Sequence, residues 1–257
     1  MYLRKTFNEN EYNYDKARPD YPKELFEDIF SYINLLKDSK ILEIGIGTGQ
    51  ATLPFLNKCC NVTAVELGDN LAKYCQQKFS CFENFDIVNS DFIEADLPVK
   101  NFDLIYIATA FHWIPKDKGY EKIKSLLKPN GAVALFWNHP FVSNTSDETN
   151  LASMVVYKKY RPNDKTPTEF DLSKSQEQVI ELRKYGFTDI KSKVYKRIRN
   201  LTSEEYINLI KTYSDHNALP KDERNAFEKE MRKAIDEVGG VINIYDTIDL
   251  YLARIRG

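Results

Sequence analysis

Short apolar runs alternate with amphipathic segments through the middle of the chain, and this alternation predicts parallel β-strands joined by helices. The candidate strands are Lys40–Gly45, Asn61–Glu66, Phe85–Asn89, Phe102–Ala108 and Ala132–Asn138. The segments with helical periodicity between them are Gln50–Lys58, Asp69–Lys78 and Lys116–Leu127. Proline is tolerated only in the first turn of a helix, so Pro54 predicts that the first of these helices begins close to Gln50. A turn at Pro129–Gly131 is expected to lead into the fifth strand.

After Asn138 the pattern changes, and helical segments interrupt the approach to the last strand. One helix is expected to carry Leu151, Met154 and Val155, and the pair Ser173 and Gln176 predicts a capping box for the next. The segments "FTDIKSKVYKRIRN" and "VINIYDTIDLYLARI" alternate like strands. Between them lie a second capping box (Thr202 and Glu205), Pro220 at a first helical position and an amphipathic face formed by Phe227, Met231, Ala234, Ile235 and Val238. This arrangement predicts a helical cap inserted before the final strand.

Composition favours a folded enzyme-sized domain and gives no sign of a charged partner. The 257 residues are 42% apolar and 13% aromatic, and 36 basic residues are balanced by 38 acidic ones. No strong overall field therefore points to nucleic acid or to a membrane surface. The N-terminus lacks the apolar core of a signal peptide and no run approaches 18 apolar residues, so we expect a soluble, cytoplasmic protein.

The four cysteines do not have the spacing of a metal site. They fall within 23 positions without a CxxC pair, and none of the three histidines is near them in sequence. Reduced, partly buried thiols are the favoured interpretation, and no metal is expected. The cysteines are Cys59, Cys60, Cys75 and Cys81.

A glycine-rich turn follows the first strand in "ILEIGIGTGQ", Ile41 to Gln50. A dinucleotide fingerprint would place its third glycine where Gln50 stands, and a phosphate-binding P-loop would require a lysine in the turn. Neither phosphate motif fits. The pattern that does fit is E-x-G-x-G-x-G from Glu43 to Gly49, and it resembles the class I S-adenosylmethionine-dependent methyltransferases.

This resemblance implies a Rossmann-like, seven-stranded, mostly parallel sheet with helices on both faces and S-adenosyl-L-methionine as cofactor. Small residues would let the backbone approach the methionine and ribose parts, and the following helix N-terminus would suit the carboxylate. Glu66 would accept the ribose hydroxyls, Asp91 would bind the adenine amino group, Phe92 would cover the adenine ring, and the carbonyl near Ala108 would take the ammonium. The implied cofactor residues in these strand ends are Glu43, Gly45, Gly47, Thr48, Gly49, Glu66, Leu67, Asp91, Phe92 and Ala108.

Two outer motifs, "YNYDKARPDYP" and "AFHWIP", resemble a narrower group of small-molecule enzymes related to trans-aconitate methyltransferase. In that group the N-terminal segment closes over the cofactor, which would place Tyr14 and Arg18 near the methionine carboxylate. His112 and Trp113 would then face the acceptor, with His112 as the candidate catalytic base. A hydroxyl or carbon acceptor needs such a base, whereas a carboxylate does not. The cap would add further substrate contacts, with Arg161 and Tyr213 as the chosen candidates beside Tyr157, Tyr160 and His216.

The domain organisation implied is a closing segment with its helix (1–36), a cofactor-binding core (37–140), and a C-terminal part (141–257) whose cap elements span about 141–172 and 201–240. The function implied is in-line methyl transfer to a small molecule, most simply to oxygen, by a monomer or homodimer that binds neither nucleic acid nor membrane. Two alternatives stay open. A nucleic-acid methyltransferase would use the alternating Lys191, Lys193, Arg197 and Arg199, which more simply form a solvated strand face, and a non-catalytic protein would only bind the cofactor.

Overall fold

The computed structural model describes residues 15, 17–165 and 167–255. Its strands are β1 (Lys40–Ile44), β2 (Asn61–Glu66), β3 (Phe85–Asn89), β4 (Phe102–Ala108), β5 (Leu127–Phe141), β6 (Thr188–Thr202) and β7 (Val241–Arg254). They form one seven-stranded sheet in the order β3-β2-β1-β4-β5-β7-β6. The pairs from β3 to β5 are parallel, and β7 runs antiparallel to both β5 and β6. The strand order reverses between β1 and β4, which is where open α/β sheets bind their ligands.

Helices cover both faces of this sheet. They are α1 (Lys23–Tyr32), α2 (Leu53–Asn57), α3 (Asp69–Lys78), α4 (Lys116–Leu126), α5 (Glu148–Tyr160), α6 (Ser173–Lys184), α7 (Ser203–Ile210), α8 (Ser214–Asn217) and α9 (Lys221–Asp236), with a 3₁₀ turn at Phe111–Trp113. None of them, within the described part of the chain, is long and apolar enough to cross a membrane.

Alternate residues of the central strands feed two apolar layers, one on each face. On one face Phe55 of α2 stacks on Tyr106 of β4 with ring centroids 4.3 Å apart. On the other, Tyr120 of α4, Leu182 of α6 and Ile105 of β4 belong to one buried cluster. Parallel strands buried on both faces require such near-continuous apolar runs, so the predicted Rossmann-like architecture is confirmed.

The cap has a third apolar cluster of its own. Strands β5, β6 and β7 have 15, 15 and 14 residues, whereas β1 has five. The three long strands therefore extend beyond the ends of the shorter ones. Helices α5, α7 and α9 pack around the protruding start of β7, and Phe227 and Met231 of α9 are fully buried there. The capping box at Thr202 is confirmed: its hydroxyl accepts from the Glu205 N–H while the Glu205 carboxylate accepts from the Thr202 N–H.

Three predictions about local structure were wrong. Helix α2 begins at Leu53 and not near Gln50, because a start at Gln50 would put Pro54 where the helix needs a backbone donor. Asp171, which accepts from the N–H and hydroxyl of Ser173, replaces the capping box expected from Ser173 itself. The expected turn at Pro129–Gly131 is instead an irregularity within β5, with Asn130 at φ +64°.

The helix expected around Leu151 is present as α5, but its apolar residues do not define the packed face. Asn150 and Ser153 are buried, whereas Leu151 and Val155 are exposed. Asn150 is satisfied by donating its side-chain amide to the carbonyl of Asn243, which is why a polar residue occupies the contact with β7.

Candidate active site

One cavity of about 320 Å³ opens at the carboxyl ends of the parallel strands. This volume is in the range of small-molecule sites. We divide its lining by strand order. The glycine-loop half comprises Glu43, Gly45, Gly47, Glu66, Leu67, Leu71, Asp91 and Phe92, and the cap half comprises Tyr21, His112, Trp113, Asn138, Pro140, Arg199 and Tyr213. Arg18 and Ala108 also line the cavity.

The three glycines of the loop serve different purposes. All have positive φ, +71° at Gly45, +59° at Gly47 and +80° at Gly49, a backbone conformation that glycine adopts without strain. A Cβ on Gly45 would lie 2.7 Å from the Cβ of Ala110, and one on Gly49 would lie 2.5 Å from the ring of Phe79. A Cβ on Gly47 would meet nothing within 4 Å. Gly45 and Gly49 therefore permit packing, while Gly47 leaves space at the cavity wall.

Glu66 at the end of β2 is held by two backbone donors. Its Oε2 accepts from the Gly47 N–H at 3.0 Å and its Oε1 from the Gly68 N–H at 2.8 Å. Burial raises the pKa of Glu66, and these backbone hydrogen bonds oppose the shift. A carboxylate offers about four lone-pair positions, so each oxygen keeps capacity for a further donor from the cavity.

Glu43 lies beneath the glycine loop, 1% exposed, at the cavity floor. Its Oε2 accepts from the hydroxyls of Thr52 at 2.7 Å and Tyr106 at 2.6 Å. Burial raises the pKa of Glu43 to about 7, with these two hydrogen bonds opposing the shift. A cation in the cavity would favour the ionised form, because an opposite charge nearby lowers a carboxyl pKa.

At the ends of β2 and β3 the lining is mainly apolar. Leu67, Leu71 and Phe92 line the cavity there, and Phe92 is only 4% exposed. Asp91 fixes the turn that follows β3, since its Oδ1 accepts from the Ile93 N–H at 2.8 Å. This part of the cavity can hold a flat apolar ring beside one carboxylate.

Asp15 is hydrogen-bonded beside the glycine loop. The Asp15 carboxylate accepts from the Lys78 ammonium at 2.6 Å and from the Tyr74 hydroxyl at 2.8 Å, both on α3, and from the Gln50 amide at 3.3 Å. These contacts hold this part of the N-terminal segment beside the cavity.

The same segment continues to the cap. Arg18 donates to the carbonyl of Thr212 at 3.2 Å, and its guanidinium lies 4.6 Å from the ring centre of Tyr213. The Tyr21 hydroxyl pairs with that of Thr109 at 2.7 Å, and Thr109 has φ +52° at the end of β4. The segment therefore connects the strand ends with the cap and forms a roof over the cavity.

His112 and Trp113 form the 3₁₀ turn after β4, with ring centroids 4.8 Å apart. His112 remains accessible within the open cavity, and its partial burial lowers its pKa below 6.5. The imidazole is therefore neutral at pH 7 and able to accept a proton.

Arg199 of β6 lines the far wall of the cap half, and Asp246 of β7 holds it in place. Arg199 donates from Nε to Asp246 Oδ2 at 2.5 Å and from Nη2 to Oδ1 at 3.0 Å. Arg197 and Asn138 also donate to Asp246, at 3.1 and 3.3 Å. The Asp246 side chain is fully buried, and both arginines offset the cost of burying its charge.

Comparison with known proteins agrees with this geometry. Residues 42–135 match the family model described as a methyltransferase domain. An uncharacterized methyltransferase of Schizosaccharomyces pombe is 25% identical over 98% of this chain and 95% of its own length. A malonyl-[acyl-carrier protein] O-methyltransferase of Ilyobacter polytropus is 35% identical, over 36% of this chain and 37% of its own length.

Among solved structures, a protein assigned as a type II methyltransferase from Anaeromyxobacter dehalogenans superposes with a TM-score of 0.67, at 17% identity, over 93% of this chain and 97% of its own. A phosphoethanolamine N-methyltransferase of Haemonchus contortus, solved with phosphomonomethylethanolamine and S-adenosylhomocysteine, gives 0.55 at 15% identity, over 96% of this chain and 57% of its own. The chain carries a methyltransferase domain and is an S-adenosylmethionine-dependent methyltransferase.

S-adenosylmethionine is the cofactor of this methyltransferase, and the residues present fit it. Gly47 leaves the loop wall open, Glu66 has lone pairs to spare, and Phe92 offers a buried apolar surface. Among the described residues, Glu43 and Glu66 have hydroxyl and backbone donors but no cationic hydrogen-bond partner, which suits a ligand that carries a sulfonium and an ammonium.

Most of the residues predicted for the methyltransferase site line the cavity, but four do not or are not described. Thr48 and Gly49 are buried behind the loop, where Gly49 packs against Phe79. Arg161 is held by Asp164 and Asp215 at 2.6 Å each and does not reach the cavity lining. Tyr14 lies outside the described residues.

Sequence reasoning missed Asn138, Arg199 and Asp246 of the methyltransferase. Arg199 was interpreted as part of a solvated strand face, but its side chain is 14% exposed and lines the cavity. A usable signal was present in "VINIYDTIDLYLARI", where Asp246 interrupts a strand otherwise rich in apolar residues.

Proposed function

We propose that this methyltransferase transfers the methyl group to an oxygen atom of a small molecule held in the cap half of the cavity. The observation that carries the proposal is the roof formed by the N-terminal segment and the cap. Arg18 donates to the carbonyl of Thr212 in the cap, and the hydroxyl of Tyr21 pairs with that of Thr109 at the end of β4. The N-terminal segment and the cap therefore meet above the strand ends. An acceptor under this roof must be small.

In this proposal the glycine-loop half orients the cofactor, which supplies an activated methyl group on a sulfonium. Glu66 accepts the ribose hydroxyls, Asp91 and Phe92 hold the adenine, and the backbone at Ala108 and the Glu43 carboxylate bind the ammonium. Their placement on the lining of one cavity supports these roles. Gly45 and Gly47 keep the loop close to the methionine part, with Leu67 packing beside the ribose.

His112 is proposed to contact the acceptor. The lowered pKa gives a neutral imidazole that can take the proton of a hydroxyl acceptor. A carboxylate acceptor is ionised already, and His112 would then donate or accept a hydrogen bond only. Trp113 and Tyr213 would close the sides of the acceptor space, since both line the cavity.

Transfer to oxygen is supported by the similarity to the malonyl-[acyl-carrier protein] O-methyltransferase over about a third of this chain. The narrower grouping with enzymes related to trans-aconitate methyltransferase is also part of the proposal. It is supported by "AFHWIP", whose Ala110, His112 and Trp113 line the cavity.

The nucleic-acid alternative is disfavoured by what the basic residues of β6 contact. Lys193 pairs with Asp28 at 2.5 Å, and Arg197 and Arg199 both pair with Asp246. Lys193 and Arg197 are thus paired with carboxylates on the outer face, and Arg199 lies in the cavity lining, so they do not form the open basic track that an extended phosphate backbone requires.

The test supplies methyl-labelled S-adenosylmethionine together with a low-mass filtrate of a cell extract, total nucleic acid or total protein. We expect label in the low-mass fraction only, with the NMR shift of an O-methyl group. Glu66→Ala should abolish transfer, and Asp86→Ala, a matched change of an exposed carboxylate on β3, should not. Label in nucleic acid or protein would contradict the small-molecule proposal, and an N-methyl shift would contradict transfer to oxygen.

The methylated product of this experiment also tests the role of His112. If the methyl group is in an ether, His112→Gln should lower kcat by about 10²-fold or more, as expected for loss of a general base. If it is in an ester, which mild alkali hydrolyses, kcat should fall much less. An ether product with an unchanged kcat would rule out His112 as the base.

A further inference from the structure

Strands β5, β7 and β6 extend beyond the shorter strands of the sheet, and one face of this extension changes from apolar to charged along its length. Phe136 and Ile248 belong to the apolar layer on the α1 side. Two residues further along the same face stand Asn138 and Asp246, followed on β6 by Arg197 and Arg199. Because side chains alternate along a strand, this change occurs on a single face and is directed at the cavity.

Asp246 fixes Arg199 through only one edge of the guanidinium. The two bonds to Asp246 use Nε and one hydrogen of Nη2. Among the described residues, Arg199 forms no hydrogen bond through Nη1. A guanidinium can form a second bidentate pair through its Nη1 and Nη2 edge, so Arg199 retains a complete anion-binding edge.

The two carboxylates of this cluster are not shared equally. Arg197 and Arg199 both pair with the buried Asp246, whereas the second carboxylate, Asp20, pairs with Arg197 and is 82% exposed. Arg199 therefore shares its carboxylate with another arginine. Arg199 is the member that lines the cavity. A guanidinium already held in place binds an anion with less loss of side-chain freedom than a solvated one.

We infer that the free edge of Arg199 anchors an anionic group of the acceptor, and that this group is not the one that is methylated. The inference rests on the proposed function. A carboxylate loses its charge when its oxygen forms a bond to the methyl group, so an arginine paired with it would stabilise the reactant more than the transition state. The anchored group must therefore keep its charge in the product.

The carboxylate of the cofactor is a poor candidate for Arg199. The glycine loop follows β1, and β6 lies four strands away in the sheet, about 19 Å at about 4.8 Å per strand. An arginine side chain spans only part of that distance. In the proposed arrangement the acceptor lies beyond β4, so its anionic group is nearer to Arg199 than the carboxylate of the cofactor is.

The test measures binding of malonate, succinate and glutarate, each compared with its monoamide, to the protein saturated with S-adenosylhomocysteine. We expect at least one dicarboxylate to bind about 10- to 100-fold more tightly than its monoamide, the factor typical of hydrogen bonds to a charged group. Arg199→Gln should remove this difference and Arg199→Lys should restore part of it. Arg197→Gln removes the same charge beside the same aspartate but does not alter the cavity lining, so it should preserve the difference.

Three results would overturn the inference: no dicarboxylate binds, the monoamides bind equally well, or Arg199→Gln retains the discrimination. S-adenosylhomocysteine affinity and the melting temperature of each variant show that the fold and the glycine-loop half are intact. A neutral small molecule methylated equally by wild type and Arg199→Gln would refute the anchor alone. Methylation confined to nucleic acid or protein would refute the proposed function itself.

Discussion

The two halves of the cavity are built in different ways. The glycine-loop half comes from residues 43–92, on three neighbouring strands and the turns after them. The cap half joins residues far apart in the chain: Tyr21 pairs with Thr109, 88 positions away, and Asn138 contacts Asp246 at a separation of 108. The first half is a local motif, and the second exists only when the whole chain has folded.

The halves also differ in how they accommodate buried charge. Glu43 and Glu66 are hydrogen-bonded by hydroxyl and backbone donors, and no cation of the part of the chain that the structure describes forms a hydrogen bond or ion pair with either. Asp246 is paired with two arginines. A half with unneutralised carboxylates attracts a cationic ligand, and a half in which two arginines share one buried carboxylate attracts an anionic one. The comparison thus explains how one cavity can receive two ligands of opposite local charge.

The largest effect is expected inside the glycine-loop half, from Gly49→Ala compared with Gly47→Ala. Both place a side chain at positive φ, which costs about 1–2 kcal/mol, but only the Gly49 variant drives a Cβ into Phe79. We expect a loss in unfolding free energy of about 3 kcal/mol for Gly49→Ala and about 1 kcal/mol for Gly47→Ala. Urea denaturation measures both. Equal losses would contradict the assignment of Gly49 to packing and of Gly47 to the cavity wall.

A second effect concerns the unpaired carboxyl of Glu43. Its pKa in the folded protein, about 7, lies above the ordinary 4.5, so the folded state holds an extra proton between these values. The unfolding free energy should therefore fall as pH rises from 4.5 to 7, by up to about 3 kcal/mol, and stay level above that. Glu43→Gln cannot titrate and should not show this contribution.

The check is the difference between wild type and Glu43→Gln in urea denaturation at pH 5 and pH 8. Cofactor affinity should move in the opposite direction in the wild type, rising through pH 7 as the carboxylate ionises and attracts the ammonium. An identical pH dependence in both proteins would show that Glu43 keeps one protonation state throughout.

The smallest effect is expected from Arg161→Gln, which removes an arginine of the cap that lies outside the cavity. Its partners Asp164 and Asp215 are 55% and 59% exposed, and exposed ion pairs contribute about 1 kcal/mol or less each. We expect a small drop in melting temperature and an unchanged KM for the acceptor. A large rise in KM would instead place Arg161 in the acceptor site, and Arg161 would then have to be counted in the cap half.

The same division decides what the sequence could predict. The glycine loop, Glu66 and Asp91 were accessible because each follows directly after an apolar strand, and strand ends of a parallel sheet meet at one edge. The placement of Arg199 was not accessible, because it depends on which β7 residue lies beside it and on the length by which β5, β6 and β7 extend beyond the sheet. The charge of Arg161 predicts a substrate contact. Asp164, three positions away, argues against that role in the sequence itself, but the pairing with Asp215, 54 positions away, exists only in the folded chain.

Glycine spacing also misled in one respect. Gly45, Gly47 and Gly49 are equivalent in the motif, but their surroundings separate them into packing positions and a cavity position. The neighbour that distinguishes Gly49, Phe79, follows α3 and is 30 positions further along the chain. Spacing alone cannot reveal a contact of that kind.

The most direct test of the two-half account is calorimetric titration of S-adenosylhomocysteine into wild type, Glu66→Ala and Arg199→Gln. The account predicts that wild type and Arg199→Gln bind with the same affinity, while Glu66→Ala loses about 10²-fold or more, as expected from two charge-assisted hydrogen bonds. If Arg199→Gln loses as much affinity as Glu66→Ala while remaining folded, Arg199 holds the cofactor and the division of the cavity is wrong.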